Sequence, residues 1–134
     1  MTEPIRSSYD RVEPYVTRDG SIIRELMHPT VHGNARQSLA EATVPPGTCT
    51  VLHRHRFTEE VYCFTAGRGR MTLGSLVFDV QAGDTVCIEP GTAHRLENTG
   101  ACDLRLLCAC APAYSHEDTE LLEAGAGDGN RTHV

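Results

Sequence analysis

Positive charge is in short supply in this chain of 134 residues: 12 basic side chains stand against 18 acidic ones, a formal net charge of -6. An acidic surface repels phosphate backbones, and no basic run, helix-turn-helix or zinc-finger spacing is present, which argues against nucleic acid as a partner. Long apolar runs are missing as well. Nothing approaches the roughly 18–20 residues that a membrane-crossing helix requires, so no membrane role is expected. The segment Met1–Tyr9 carries charges and Pro4 where a signal peptide needs an apolar stretch, and the expected location is the cytoplasm. Six cysteines occur (Cys49, Cys63, Cys87, Cys102, Cys108 and Cys110), but no Cys-x-x-Cys, which excludes a zinc ribbon or thioredoxin-like site. They are expected as reduced thiols that mostly fill the core, with Cys108 and Cys110 on one face of a strand. Internal repeats and long stretches of helical periodicity are also lacking.

What remains is a pattern of short apolar runs punctuated by glycine and proline. It predicts strands over Ser21–Leu26, Gln37–Val44, Thr48–His53, Glu60–Ala66, Arg70–Leu73, Leu76–Val80, Thr85–Ile88, His94–Asn98 and Leu104–Ala109. Turn signals separate them, among them Pro45-Pro46-Gly47, Gly67-Arg68-Gly69, Ala82-Gly83-Asp84 and Pro90-Gly91. Many short strands with regular turns make an all-β sandwich or barrel, and the length suits one domain with a real core. A polar, proline-marked N-terminal arm (residues 1–20), a barrel (21–118) and a short helix with a glycine-rich tail (119–134) complete the expected organisation. The helix is placed at Thr119–Glu123. His133, in the tail, is not counted as a site residue.

The chemistry concentrates between residues 47 and 98. His53 and His55 are two apart, so on an extended strand both imidazoles face one side. Imidazole suits zinc, iron, copper and nickel. Glu60 opens the next apolar run, where a short turn can return its carboxylate to the same pocket. His94 begins another strand after the turn at Pro90-Gly91.

These residues resemble the two motifs of the cupin family. Gly47, His53, His55, Glu60 and Gly67 fit the first, Gly-x5-His-x-His-x4-Glu-x6-Gly. Gly83, Gly91, His94 and Asn98 fit the second, except that Glu89 stands where proline is usual and Pro90 follows it. The resemblance implies an all-β, double-stranded β-helix (jelly-roll) barrel holding one divalent transition metal (Fe, Mn, Ni, Zn or Cu) on His53, His55, Glu60 and His94. Four such ligands leave an open position on a five- or six-coordinate ion, the mark of a catalytic rather than a closed site.

Other positions follow from strand parity. Tyr62 and Phe64 share the parity of Glu60; Leu96 and Asn98 share that of His94. Tyr62 is the candidate catalytic side chain, and Gln37, Phe64, Leu96 and Asn98 are candidate substrate contacts. Each has a plainer reading, as barrel filling or, for Gln37, an outward polar group. No lysine or second carboxylate has a spacing that assigns it as general base, leaving metal-bound water, Tyr62 or a pocket carboxylate for that task. Glu59 is expected on the surface, His28 and His32 in a solvent-exposed loop, and His116 packed at the barrel end. By resemblance the protein is a metal-dependent enzyme on a small organic substrate: an oxidoreductase of the dioxygenase kind, an isomerase or a lyase. The competing reading is a non-catalytic cupin that binds or senses a small ligand, or an accessory partner of a larger biosynthetic enzyme. A homodimer is expected, because small relatives pair through sheet edges and N-terminal arms, and edge strands need covering.

Overall fold

A computed structural model describes residues 3–16 and 21–123. The chain runs through β1 (Tyr15–Val16), β2 (Ile22–Met27), α1 (Pro29–His32), β3 (Ser38–Val44), β4 (His53–His55), β5 (Glu59–Ala66) and β6 (Arg68–Leu73). It continues through β7 (Leu76–Gln81), β8 (Thr85–Ile88), β9 (His94–Asn98), β10 (Leu104–Ala111) and β11 (Thr119–Leu121). The strands form two antiparallel sheets, one in the order β1-β2-β3-β10-β5-β8 and one in the order β11-β4-β9-β6-β7. This is the all-β barrel that the turn spacing predicts, in the jelly-roll form that the motif resemblance implies. Among the described residues no helix is long and apolar enough to cross a membrane.

Alternation along the strands decides which side chains enter the barrel. On β5 the inward row is Glu60, Tyr62, Phe64; on β9 it is His94, Leu96, Asn98; on β10 it is Leu104, Leu106, Cys108, Cys110, all buried. The rows share a polarity gradient. Their polar ends (Glu60, His94, Cys110) gather at one end of the barrel, while Phe64, Leu96, Leu104 and Leu106 join Ala42, Val44, Met71 and Ile88 in one apolar cluster. A fully buried leucine or phenylalanine contributes about 1.5–3 kcal/mol of transfer free energy, so this cluster forms the rigid floor under the polar end. Gly67 makes the passage from β5 to β6. Its φ is +83°, and a Cβ there would run into the Asp103 backbone, so only glycine fits.

Several sequence expectations need correction. Thr119–Glu123 is not a helix: Thr119–Leu121 form β11 and pair with β4, matching Thr119 to His55 and Leu121 to His53. Local polarity suggested a helix turn, but the bare edge of β4 supplies the ladder partners that override it. The strand expected from Thr48 starts only at His53; the preceding residues meet β9 at an isolated bridge, Cys49 to Glu97, flanked by Thr50 N–H donating to the Leu96 carbonyl (2.9 Å) and Asn98 N–H donating to the Thr48 carbonyl (3.0 Å). The loop expected at His28–His32 contains α1. His28 caps it by accepting from the Thr30 N–H (3.1 Å), and Pro29 at the first helical position suits that start. Both histidines are half-buried, whereas His116, expected to pack at the barrel end, is exposed beside Tyr114. Only Cys108 and Cys110 are buried; Cys49, Cys87 and Cys102 are exposed, so most cysteines are not core filling.

The arm lies on its own barrel. Ser7 Oγ donates to the Leu26 carbonyl (2.5 Å), Arg24 donates to the carbonyls of Tyr9 and Val12, and β1 pairs with β2. The tail at 124–134, with His133, falls outside the described residues.

Candidate metal centre

His53 and His55 flank Arg54 on β4, and the alternation buries both imidazoles while turning Arg54 outward to Glu120 (2.6 Å). His94 pairs directly with His53 across β4 and β9, which sets their ring centroids 4.2 Å apart. Glu60 comes from the opposite sheet. Its approach is fixed by the preceding turn, where the Asp118 carboxylate accepts from the N–H groups of Phe57 (2.8 Å) and Thr58 (3.0 Å). The second turn also closes on the site: Gly91 N–H donates to the His55 carbonyl (2.6 Å) with φ at +84°. Placing Pro90 before this glycine, in place of proline one residue earlier, therefore leaves His94 where the motif requires it.

The four side chains supply ligand atoms that all lie within 4.8 Å of one another, and all four residues are buried. Glu60 Oε1 sits 3.2 Å from His55 Nε2 and 3.4 Å from His94 Nε2. Among the described residues, none of these three atoms has a hydrogen-bond partner. The far nitrogens explain why. His53 Nδ1 lies 2.7 Å from the Val51 carbonyl and His94 Nδ1 2.9 Å from the Thr92 carbonyl. A carbonyl can only accept, so both Nδ1 atoms carry the proton. His55 Nδ1 lies 2.9 Å from Thr119 Oγ1, whose own hydrogen goes to the Ser115 carbonyl (2.8 Å); the hydroxyl therefore accepts, and this Nδ1 is protonated too. With Nδ1 donating, Nε2 is the ring nitrogen left to serve as an acceptor or a ligand.

Three lone pairs and a carboxylate oxygen facing one small volume repel one another unless a cation lies between them. The donor set of nitrogen and hard oxygen suits a first-row divalent transition metal. Burial, with His94 beside it, holds the His53 imidazole well below its ordinary range and keeps it neutral for ligation. Burial alone would raise the Glu60 carboxyl, but the neighbouring His55 and His94 outweigh it and hold Glu60 at about 2. Both groups are thus in their ligating form at neutral pH.

The other candidates separate. Tyr62 stands beside the centre with its ring edge-on to His94 at 5.8 Å; its hydroxyl is buried and without a hydrogen-bond partner among the described residues. Burial and the Glu60 charge push its phenol well above the usual range, so it is a proton donor at neutral pH and not the base. Phe64 and Leu96 follow Tyr62 and His94 along their strands and are buried in the apolar cluster. Asn98, one alternation beyond Leu96, has its polar groups engaged: Nδ2 donates to the Val44 and Cys102 carbonyls and Oδ1 accepts from Gly100 N–H. It ties the closed end together. Gln37 is exposed, and its neighbour Ser38 turns inward instead. Parity identified the inward rows but not depth along the barrel axis, which separates Tyr62 from Phe64 and His94 from Asn98. Glu59 is exposed as expected.

Residues that sequence reasoning did not single out complete the site. Thr119 fixes His55, Tyr114 stands edge-on to the His55 ring at 5.8 Å, and Cys110 donates its S–H to Glu60 Oε2 (3.3 Å). The period-two spacing of Cys108 and Cys110 was the available signal for the last; nothing local marks Thr119.

Comparison with known proteins decides the family: residues 40–110, just over half the chain, match the cupin domain. The protein is a cupin. It is 53% identical over 119 residues to an uncharacterized protein of Methanocaldococcus jannaschii, covering 89% of this chain and 95% of that one. It is 32% identical over 84 residues to the oxalate-binding protein of Thermotoga maritima, covering 63% and 65% of the two chains. Among solved structures, the polyketide cyclase RemF from Streptomyces resistomycificus superposes with a TM-score of 0.75 over 93% of this cupin and 88% of that protein. At 20% identity this is a likeness of fold.

Proposed function

We propose that this cupin is a metal-dependent enzyme that binds a small oxo-, hydroxy- or carboxylate-bearing substrate at a divalent transition metal on His53, His55, Glu60 and His94. The observation that carries the reading is the fixing of all three Nδ1 atoms as donors, which aims three Nε2 lone pairs and Glu60 Oε1 at one point. A bound metal would supply Lewis-acid polarisation of a substrate oxygen, or redox chemistry if it is iron or manganese. The chain's own residues supply the remainder. The apolar floor of Phe64, Leu96 and Leu106 excludes water from below and strengthens charge interactions above it. Tyr62 provides a neutral hydroxyl without a hydrogen-bond partner among the described residues, suited to donate to negative charge that develops on a substrate oxygen. The T. maritima relative, an oxalate-binding protein, supports a small oxygen-rich ligand; it also supports the second reading, a cupin that binds such a ligand without converting it.

Incubation of the metal-loaded chain with small oxo-, hydroxy- and dicarboxylic acids, followed by mass spectrometry and oxygen uptake, separates the two readings. Conversion that disappears in a His53→Ala/His94→Ala variant supports the enzyme. Binding without conversion of any member leaves the binding module. We also propose a homodimer, because β1 ends the six-stranded sheet with Tyr15 and Val16 exposed. Sedimentation equilibrium giving only the monomer mass would refute it.

A further inference from the structure

The register of the six-stranded sheet places Ser38 on β3, Cys110 on β10 and Glu60 on β5 in one cross-strand row. All three side chains point into the barrel and are buried. Directly opposed side chains in adjacent strands come within contact distance, so the row is a continuous line of polar atoms ending on a candidate metal ligand. Its direction can be read off the donors. Tyr114 N–H donates to Ser38 Oγ (2.9 Å), which leaves the Ser38 hydrogen for another acceptor, and Cys110 is its direct cross-strand neighbour. The Cys110 S–H in turn donates to Glu60 Oε2 at 3.3 Å. The other oxygen, Oε1, is the one that faces His55 and His94.

We propose that Cys110 is a positioning residue that engages Glu60 Oε2 so that Glu60 ligates through Oε1 alone and an open coordination position is kept for substrate. This rests on the metal-centre reading above. A carboxylate with both oxygens unengaged can rotate to bind through both and fill that position. A donor on one oxygen opposes the rotation, as hydrogen bonds to a ligand from outside the coordination sphere generally do. A thiol does this with a small, uncharged side chain, which suits a buried row.

The test uses the full chain loaded with cobalt(II), in the parent, Cys110→Ser and Cys110→Ala forms, with affinity taken from chelator competition and coordination from the visible spectrum. Serine retains a donor, so Cys110→Ser is expected to match the parent spectrum with affinity within about threefold. Cys110→Ala is expected to shift the visible bands toward higher coordination and change affinity by about 10–100-fold. Should alanine prevent folding, Cys110→Val fills the space without a donor and must show the same shift. A donorless variant with the parent's spectrum and affinity would overturn the proposal. So would a sulfur-to-cobalt charge-transfer band in the parent, which would place the thiol on the metal. A folded parent that binds no cobalt overturns both this proposal and the metal centre, whereas a bound parent with an unaffected alanine variant overturns this proposal alone.

Discussion

Thr119→Val is the sharpest probe of how the site is built, because it removes one oxygen from a strand that contributes no ligand. In the native chain Thr119 Oγ1 accepts from His55 Nδ1 and donates to the Ser115 carbonyl. Valine keeps the shape and the β propensity but leaves the buried Nδ1–H without an acceptor, at a cost of about 1–3 kcal/mol. That cost falls unequally on the two states. Without metal, His55 can move its proton to Nε2, which lies 3.2 Å from Glu60 Oε1, and so recover a hydrogen bond. With metal bound, Nε2 must be bare and the Nδ1–H stays stranded. The metal-free variant should therefore melt within about 4 °C of the parent, corresponding to about 1 kcal/mol or less. Metal affinity should fall by about 5–150-fold, the same 1–3 kcal/mol expressed as a binding constant. Zinc or cobalt competition with a chelator reads the affinity, and scanning calorimetry of the metal-free form reads the stability. Unchanged affinity in a folded variant would refute the claim that Thr119 sets the His55 tautomer. Thr119→Ser, which keeps the hydroxyl, should restore most of the loss.

Further outcomes follow from the same geometry. Tyr62→Phe removes a buried hydroxyl without a partner among the described residues, so the melting temperature of the metal-free protein should hold or rise; a loss above about 1 kcal/mol in calorimetry would show that the hydroxyl is satisfied. Leu96→Ala opens a cavity in the floor and should cost about 2–5 kcal/mol in denaturant unfolding, while a cost under about 1 kcal/mol would contradict its place in the core. Acid should destabilise the metal-free chain in two windows. His53 has its folded pKa lowered below 6.5, so the unfolded state binds the extra proton and stability falls as pH drops below about 6.5. Glu60 is lowered from 4.5 to about 2, so its contribution is present above about 4.5 and lost as pH falls toward about 2. Urea unfolding from pH 8 to pH 3 checks both, and a His53→Gln variant that keeps the upper window intact would contradict the assignment.

The barrel was legible in short-range strand and turn spacing, and the convergence of His53, His55, Glu60 and His94 in the resemblance to the two cupin motifs. Two histidines two apart on a strand must share a face, and glycines at 47, 67, 83 and 91 mark turns where the structure has positive φ. What spacing does not encode is which strand lies next to which. Thr119 reads locally as the start of a polar helix turn, and only the open edge of β4 makes it a strand partner for His55. Cys110 reads as a small core residue until the β5–β10 register sets it opposite Glu60. Asn98 shares the parity of His94, which marks a pocket residue, but one more alternation takes it past Leu96 to the closed end, where the Val44, Gly100 and Cys102 backbone occupies its amide. Parity gives the face of a strand, and depth along the axis depends on the assembled sheets.

The most direct test of the metal centre is elemental analysis by mass spectrometry of the purified chain after reconstitution, beside the His53→Ala/His94→Ala variant, with circular dichroism to establish that both are folded. The expected result is about one equivalent of a divalent transition metal in the parent, retained through gel filtration, and none in the variant. A folded parent that retains no metal, or a variant that retains as much as the parent, would contradict the assignment of His53, His55, Glu60 and His94 as the ligands.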